Sequence, residues 1–142
     1  MQVQSSRFGS FEVESSRTLN FSQSLLGFPD SSTYVVIEVE ETPYIWLQSV
    51  DEPDVAFLAT SPFLFFPSYD LVLGDEEQRQ LDVDDVSQVE VLTLLTIHRS
   101  GELPETITAN LLGPIVVNTE SRRALQLVLD NPEYSTRVPL VP

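Results

Sequence analysis

Tyr44-Ile45-Trp46-Leu47-Gln48-Ser49-Val50-Asp51-Glu52-Pro53-Asp54-Val55-Ala56-Phe57-Leu58-Ala59-Thr60-Ser61-Pro62 is the stretch on which the fold is decided. Tyr44–Ser49 and Val55–Thr60 are short runs rich in apolar, β-branched and aromatic residues, separated by the polar turn Val50–Asp54. Two such runs around an Asp/Pro turn predict an antiparallel hairpin. In a strand, Trp46 and Gln48 share one face while Ile45, Leu47 and Ser49 take the other. Both faces carry apolar bulk, so the hairpin belongs inside a sheet system, with the acidic turn protruding into water.

The neighbouring segments extend this reading. Gln2–Arg7 and Ser10–Glu14 flank Gly9 as a first hairpin, and Thr18–Phe21 is a further extended segment. Tyr34–Val39 is a β-branched strand. Ser61–Tyr69 holds Phe63, Leu64, Phe65 and Phe66 between Pro62 and Pro67, which deny it a central strand, so it reads as an ordered loop packing aromatics over an open edge or barrel end. The acidic run Asp70–Val89 predicts a helical turn over Asp75–Gln80 and strand fragments near Leu81 and Val83. Val89–Arg99 is apolar on both faces and therefore central. Ser100-Gly101 and Pro104 mark a turn. Ile107–Leu112 and Ile115–Asn118 are strands broken at Gly113-Pro114 by a bend or bulge. Ala124–Leu129 fits a strand or a helix, and Asn131–Pro142 is an extended tail. With about nine or ten short strands and no long helical pattern, the prediction is an all-β, single compact antiparallel β-barrel-like or sandwich domain, residues 1–142, with short helical turns.

Composition narrows the function. The 142 residues suit one domain. There are 22 acidic against 7 basic residues, a net charge of −15, and every basic residue is an arginine. This excess opposes nucleic-acid binding and anionic membranes and suits a basic partner. Its plainer effect is solubility. The absence of cysteine excludes disulfides, thiolate catalysis and thiolate metal sites. No run approaches the roughly 18 apolar residues of a membrane helix, and no secretory signal opens the chain. The expectation is a cytoplasmic protein.

Motifs for chemistry are weak. His98 is the sole histidine, so no two-histidine metal site exists, and a lone strand-end histidine reads as structural. No nucleophile elbow or glycine-rich phosphate loop is present. The pairs Asp84-Asp85 and Glu76-Glu77 point apart in extended backbone, and Asp70–Asp85 lacks the oxygen spacing of a calcium loop. No catalytic, cofactor or metal residue is assigned, and no small-molecule substrate is expected. Trp46, Phe57, Phe63, Phe65 and Phe66 read most simply as core. Gln48 and Asn110 interrupt apolar strands and need hydrogen bonds if buried. Pro114 after Gly113 reads as a backbone device.

Taken in order, several pieces resemble the FliW family of bacterial flagellar assembly factors. They are Leu25-Leu26-Gly27-Phe28-Pro29; Trp46-Leu47-Gln48-Ser49 with its acidic turn and Val55-Ala56-Phe57; Pro62 and Tyr69; Thr108 through Asn118, including Asn110, Gly113 and Pro114; and Gln126 with Tyr134-Ser135. The turn Thr119–Arg123 departs from the family's glycine- and lysine-bearing one. The resemblance implies a barrel-like fold, favours a strand over Ala124–Leu129, and implies a non-enzymatic role. FliW-like proteins bind the RNA-binding repressor CsrA, lifting its block on flagellin messenger RNA, and bind flagellin, which releases CsrA again. On this reading the acidic rim comprises Asp51, Glu52 and Asp54 with Asp70, Glu76 and Glu77, and Phe66 and Tyr69 are candidate anchors. A solvated acidic face over core aromatics is the plainer account of the same residues. Two other functions stay open: a flagellin secretion chaperone without CsrA control, and an acidic calcium-binding or carboxylate-enzyme domain.

Overall fold

The computed structural model describes residues 1–100 and 103–140. Its strands are β1 (Gln2–Ser5), β2 (Gly9–Glu12), β3 (Thr18–Phe21), β4 (Thr33–Glu38), β5 (Tyr44–Ser49), β6 (Ala56–Thr60), β7 (Val89–Ser100), β8 (Leu103–Ala109), β9 (Ile115–Asn118), β10 (Arg123–Gln126) and β11 (Val138–Pro139). One helix, α1 (Asp75–Leu81), stands among them. β5 and β6 form the expected hairpin, with Trp46 opposite Leu58 and Gln48 opposite Ala56. β7 pairs with β6, β8 and β9. The ring β7-β6-β5-β4-β3-β10-β9 therefore closes on itself, while β8 and β11 extend from the upper half of β7.

The expected barrel is all-antiparallel; the observed one has a single parallel seam, Arg123 with Asn20 and Ala124 with Phe21. Parity requires it. Seven strands cannot alternate direction around a closed ring, so one neighbouring pair must run the same way.

Alternation along each strand divides the side chains between two cores. Leu19, Phe21, Tyr34, Leu47, Ala59, Leu92, Ile115, Val117 and Ala124 fill the interior. Each large aliphatic among them stabilises the fold by about 1.5–3 kcal/mol relative to exposure. Val91, Val116, Leu125 and Leu127 face outward and are covered by Leu81 and Val83 of α1 and its exit. Leu95, Ala109 and Leu111 face outward under Tyr69, Phe66 and the tail residues Tyr134 and Val138. The β1–β2 hairpin covers the outer face of β5: Phe8 meets Trp46 edge-on at 5.9 Å, and Arg7 lies 4.4 Å over the indole.

Several sequence expectations change here. Leu81 ends α1 and Val83 follows it, so neither begins a strand. Asp82 takes the left-handed conformation, φ 57°, that terminates the helix. Ser61–Tyr69 covers the outer face of β7 and β8 rather than a barrel end, and Phe63 stays 44 % exposed instead of joining the core. Pro104 lies within β8, where a residue without an N–H is tolerated beside an unpaired edge. Of the predicted turn, Gly101 lies outside the described residues, as do the last two residues of the tail. Arg123–Gln126 is a strand. Its apparent helical spacing arises because Ala124 feeds the interior and Leu125 and Leu127 the outer core. Arg122, at φ 65°, turns the chain into it, and its Nε donates to the Thr18 carbonyl at 3.2 Å.

The break at Gly113-Pro114 is a large bulge. Asn110–Pro114 spans what Thr93 and Leu94 span on β7. Asn110 Oδ1 accepts from the N–H groups of Leu112 and Gly113 at 3.2 and 3.0 Å. Gln126 Nε2 donates to the Gly113 carbonyl at 3.1 Å, and its Oε1 accepts from Leu26 N–H at 3.1 Å. A methyl group on Gly113 would lie 2.9 Å from Gln126 Nε2 and 3.0 Å from Asn110 Nδ2. Gly113→Ala should therefore destabilise the domain by about 1–2 kcal/mol, read as a lower Tm; an unchanged Tm would show that both amides can yield.

Tyr34 is fully buried in the interior, and its hydroxyl has no hydrogen-bond partner among the described residues. Burial pushes its pKa from 10.0 up to about 12; the nearby Ser31 hydroxyl opposes the shift, and the charges of Glu52 and Asp51 add to it. Above pH 10 the unfolded chain loses this proton before the folded one does, so stability falls as pH rises from about 10 toward 12. Burial raises Tyr69 likewise. Tyr34→Phe should retain neutral-pH stability and flatten part of the alkaline loss in melts recorded across that window.

Candidate docking surface

The acidic turn is built into the scaffold. Gln48 is fully buried on the outer face of β5. Its Nε2 donates to the carbonyls of Ser49, Pro53 and Val55 at 3.0–3.2 Å, and its Oε1 accepts from Ser5 Oγ at 2.7 Å. The strand amide thus shapes the turn and fastens β1 to it. Ser49 Oγ accepts from Asp51 and Glu52 N–H at 3.1 and 2.9 Å. Asp51 Oδ2 accepts from the N–H groups of Ser32 and Thr33 at 2.9 and 3.2 Å. Glu52 takes a hydrogen bond from Ser31 Oγ, and Asp54 one from Ser6 Oγ. Instead of protruding freely, the turn joins three segments, with Asp51 and Asp54 exposed and Glu52 half-buried.

The second acidic group lies near the end of the 61–73 strap and in α1. Asp70 and Glu76 are exposed and Glu77 is half-buried. Glu76 pairs with Arg79 and accepts from Gln80 Nε2 at 3.1 Å. Asp75, Glu76 and Glu77 occupy the first turn of α1, where the helix dipole favours negative charge. Asn118 Nδ2 ties the other end of the helix to the barrel, donating to the carbonyls of Leu81 and Asp82 at 2.8 and 3.2 Å.

Tyr69, a candidate anchor, lies in the core. It is 5 % exposed, donates to the Leu111 carbonyl at 2.7 Å, and packs its ring 4.8 Å from Tyr134. The Tyr134 hydroxyl in turn accepts from Asp70 N–H at 2.9 Å and donates to the Asp70 carbonyl at 3.3 Å. These bonds hold the 61–73 strap against the tail. Phe66 is half-buried in the same cluster. The structure therefore separates the named residues: Asp70, Glu76 and Glu77 flank one loop system, Asp51, Glu52 and Asp54 another, and the aromatics lie beneath the first.

Chemistry-bearing groups do not converge. His98 Nε2 meets Thr108 Oγ1 at 2.8 Å between β7 and β8. Among the described residues no group of three or more His, Cys, Asp or Glu side chains could hold a metal ion. No described helix is long and apolar enough to cross a membrane. The sequence reading passed over the exposed Val72 and Val86, which border a groove beside α1. The uninterrupted apolar triplet Leu71-Val72-Leu73 was its signal, since one of three successive residues in extended chain must face outward.

Comparison with known proteins agrees with this architecture. A family model described as FliW protein matches residues 2–140. A flagellar assembly factor FliW from Magnetococcus marinus is 37 % identical over 143 residues, covering 100 % of this chain and 86 % of that protein. The Bacillus subtilis protein of the same description is 34 % identical, covering 99 % of this chain and 96 % of its own. A crystal structure of the flagellar assembly factor FliW superposes with a TM-score of 0.88 at 32 % identity, covering 100 % of this chain and 98 % of that one. With a matching sequence across nearly its whole length and a matching barrel, the chain belongs to the FliW family of flagellar assembly factors.

Proposed function

We propose that this protein is a non-enzymatic, cytoplasmic regulator of flagellin synthesis that works by exchanging two protein partners. It binds CsrA and prevents that repressor from silencing flagellin messenger RNA. Flagellin, as it accumulates, occupies the protein and frees CsrA. The observation that carries the reading is the exposed acidic surface of a net −15 barrel from a flagellar assembly family. An RNA-binding repressor presents cationic surface, and complementary potentials accelerate its capture.

The test is a three-component titration. The protein is added to CsrA bound to a labelled flagellin leader RNA, followed by flagellin. Release of RNA, reversed by flagellin, is expected. RNA that stays bound while flagellin still binds would make the protein a flagellin chaperone instead. A failure to bind either partner would sink both roles.

Charge reversal maps the contact. Asp51, Glu52 and Asp54 accept hydrogen bonds that shape their turn, so replacing them with Lys would disturb the fold as well as the field. Asp70→Lys with Glu76→Lys avoids that turn. This double variant should slow CsrA association by roughly threefold to tenfold at low salt, with the difference shrinking as salt rises. Equal association rates for variant and parent would take this face out of the encounter.

A further inference from the structure

A groove of about 740 Å³ runs between the 61–73 strap and the entry to β7. Val83 and Val91 are buried beneath it, while Phe63, Val72 and Val86 at its border are 44 %, 80 % and 84 % exposed. Three exposed apolar side chains around one concavity form the kind of patch that marks a binding surface. The charged residues lining the groove are Asp70, Asp84 and Asp85, with no cation among them; Glu90, at its edge, shares the inward face of β7 with Leu92. Asp85 is occupied in a capping box with Ser87 and Gln88. The carboxylates of Asp70 and Asp84 have no hydrogen-bond or ion-pair partner among the described residues.

The strap supplies an independent feature. Leu71, Val72 and Leu73 form neither helix nor turn, and their burial alternates as in a strand, with Leu71 and Leu73 partly inward and Val72 outward. Among the described residues nothing accepts from the N–H groups of these three or donates to the carbonyls of Leu71 and Val72. An extended segment with unmade backbone bonds, lying along an apolar groove, can template an added strand.

We propose that this groove takes an extended segment of a partner protein in which cationic and apolar residues alternate. The segment pairs its backbone with Leu71–Leu73, sets its apolar side chains against Phe63, Val72 and Val86, and directs its cations to Asp70 and Asp84. An anionic or purely apolar segment would leave those carboxylates desolvated and unpaired, which opposes binding. The inference rests on the functional reading above in one respect, that the ligand is a protein.

The experiment uses the full chain, labelled for amide NMR, and an acetylated and amidated octapeptide of alternating lysine and valine. An octapeptide of alternating glutamate and valine is the control. The lysine peptide should shift the resonances of Phe63, Leu71–Leu73 and Val86 and slow hydrogen exchange at one or more of the Leu71–Leu73 amides. Asp70→Lys with Asp84→Lys should weaken it about tenfold at low salt with Tm unchanged; Asp84→Lys alone, a loop substitution, serves if the pair unfolds. No shift at millimolar peptide, equal binding of the glutamate peptide, or binding without amide protection would overturn the strand-addition site. The variant is then tested against CsrA and flagellin. Full binding of both by a variant that has lost the peptide would overturn the groove as their docking place. If the parent binds the peptide but neither protein, the groove stands and the partner-exchange reading fails.

Discussion

Val89–Ser100 is bonded along its lower half to β9, in its middle to β6 and along its upper half to β8, and this triple pairing is the constraint on which the molecule rests. A sheet ending at β9 and β7 would present two rows of unpaired backbone groups. Bonding Val89–Leu92 to Ile115–Asn118 joins those edges and shuts the apolar interior away from water. The same strand must then release its edge to β8, and the bulge at Asn110–Pro114 performs the exchange. Asn110, Gly113 and Gln126 are joined by hydrogen bonds at this corner, so the barrel depends on a few polar contacts where β7 passes from β9 to β8.

Closure leaves apolar side chains on the outside of the barrel, and each patch has its own cover. The N-terminal hairpin lies over β5, α1 over β9 and β10, and the strap with the tail over β7 and β8. Buried polar side chains rather than apolar contacts set how the covers sit. Gln48 bonds to Ser5, Asn118 to the end of α1, and Tyr69 to Leu111. A buried polar group that finds all its partners specifies one arrangement, because any other leaves it unsatisfied.

The strands were legible in the sequence because period-2 alternation and turn residues report local geometry. The β5–β6 hairpin and the centrality of β7 follow from their own residues. Pairing across the seam was not legible, since nothing near Ala124 indicates that Phe21 lies beside it. The helical spacing of Ala124, Leu125, Val128 and Leu129 misleads because only the first two lie in the strand, one on each buried face, while Val128, 75 % exposed, and Leu129 follow it. Gln48 and Asn110 stood out correctly as polar residues needing partners. Tyr69 is less decisive, because an aromatic with a hydroxyl reads equally as a docking anchor and as a core residue satisfied by one carbonyl. The residues carrying the family resemblance are mostly such joints. They specify the barrel and say little about its partners, whereas the candidate groove depends on exposed valines and on backbone groups whose lack of partners no sequence displays.

The parallel seam has a consequence for how the protein is made. Asn20 and Phe21 leave the ribosome early, but Arg123 and Ala124, to which they bond, are synthesised about a hundred residues later. Until then β3 has β4 on one side and nothing on the other. The nascent chain is an open sheet with apolar interior residues uncovered, and a contact of such high sequence separation closes slowly. Truncation before Ala124 therefore yields an unsealed sheet prone to self-association, a substrate for chaperones and proteases rather than a smaller working version of the barrel.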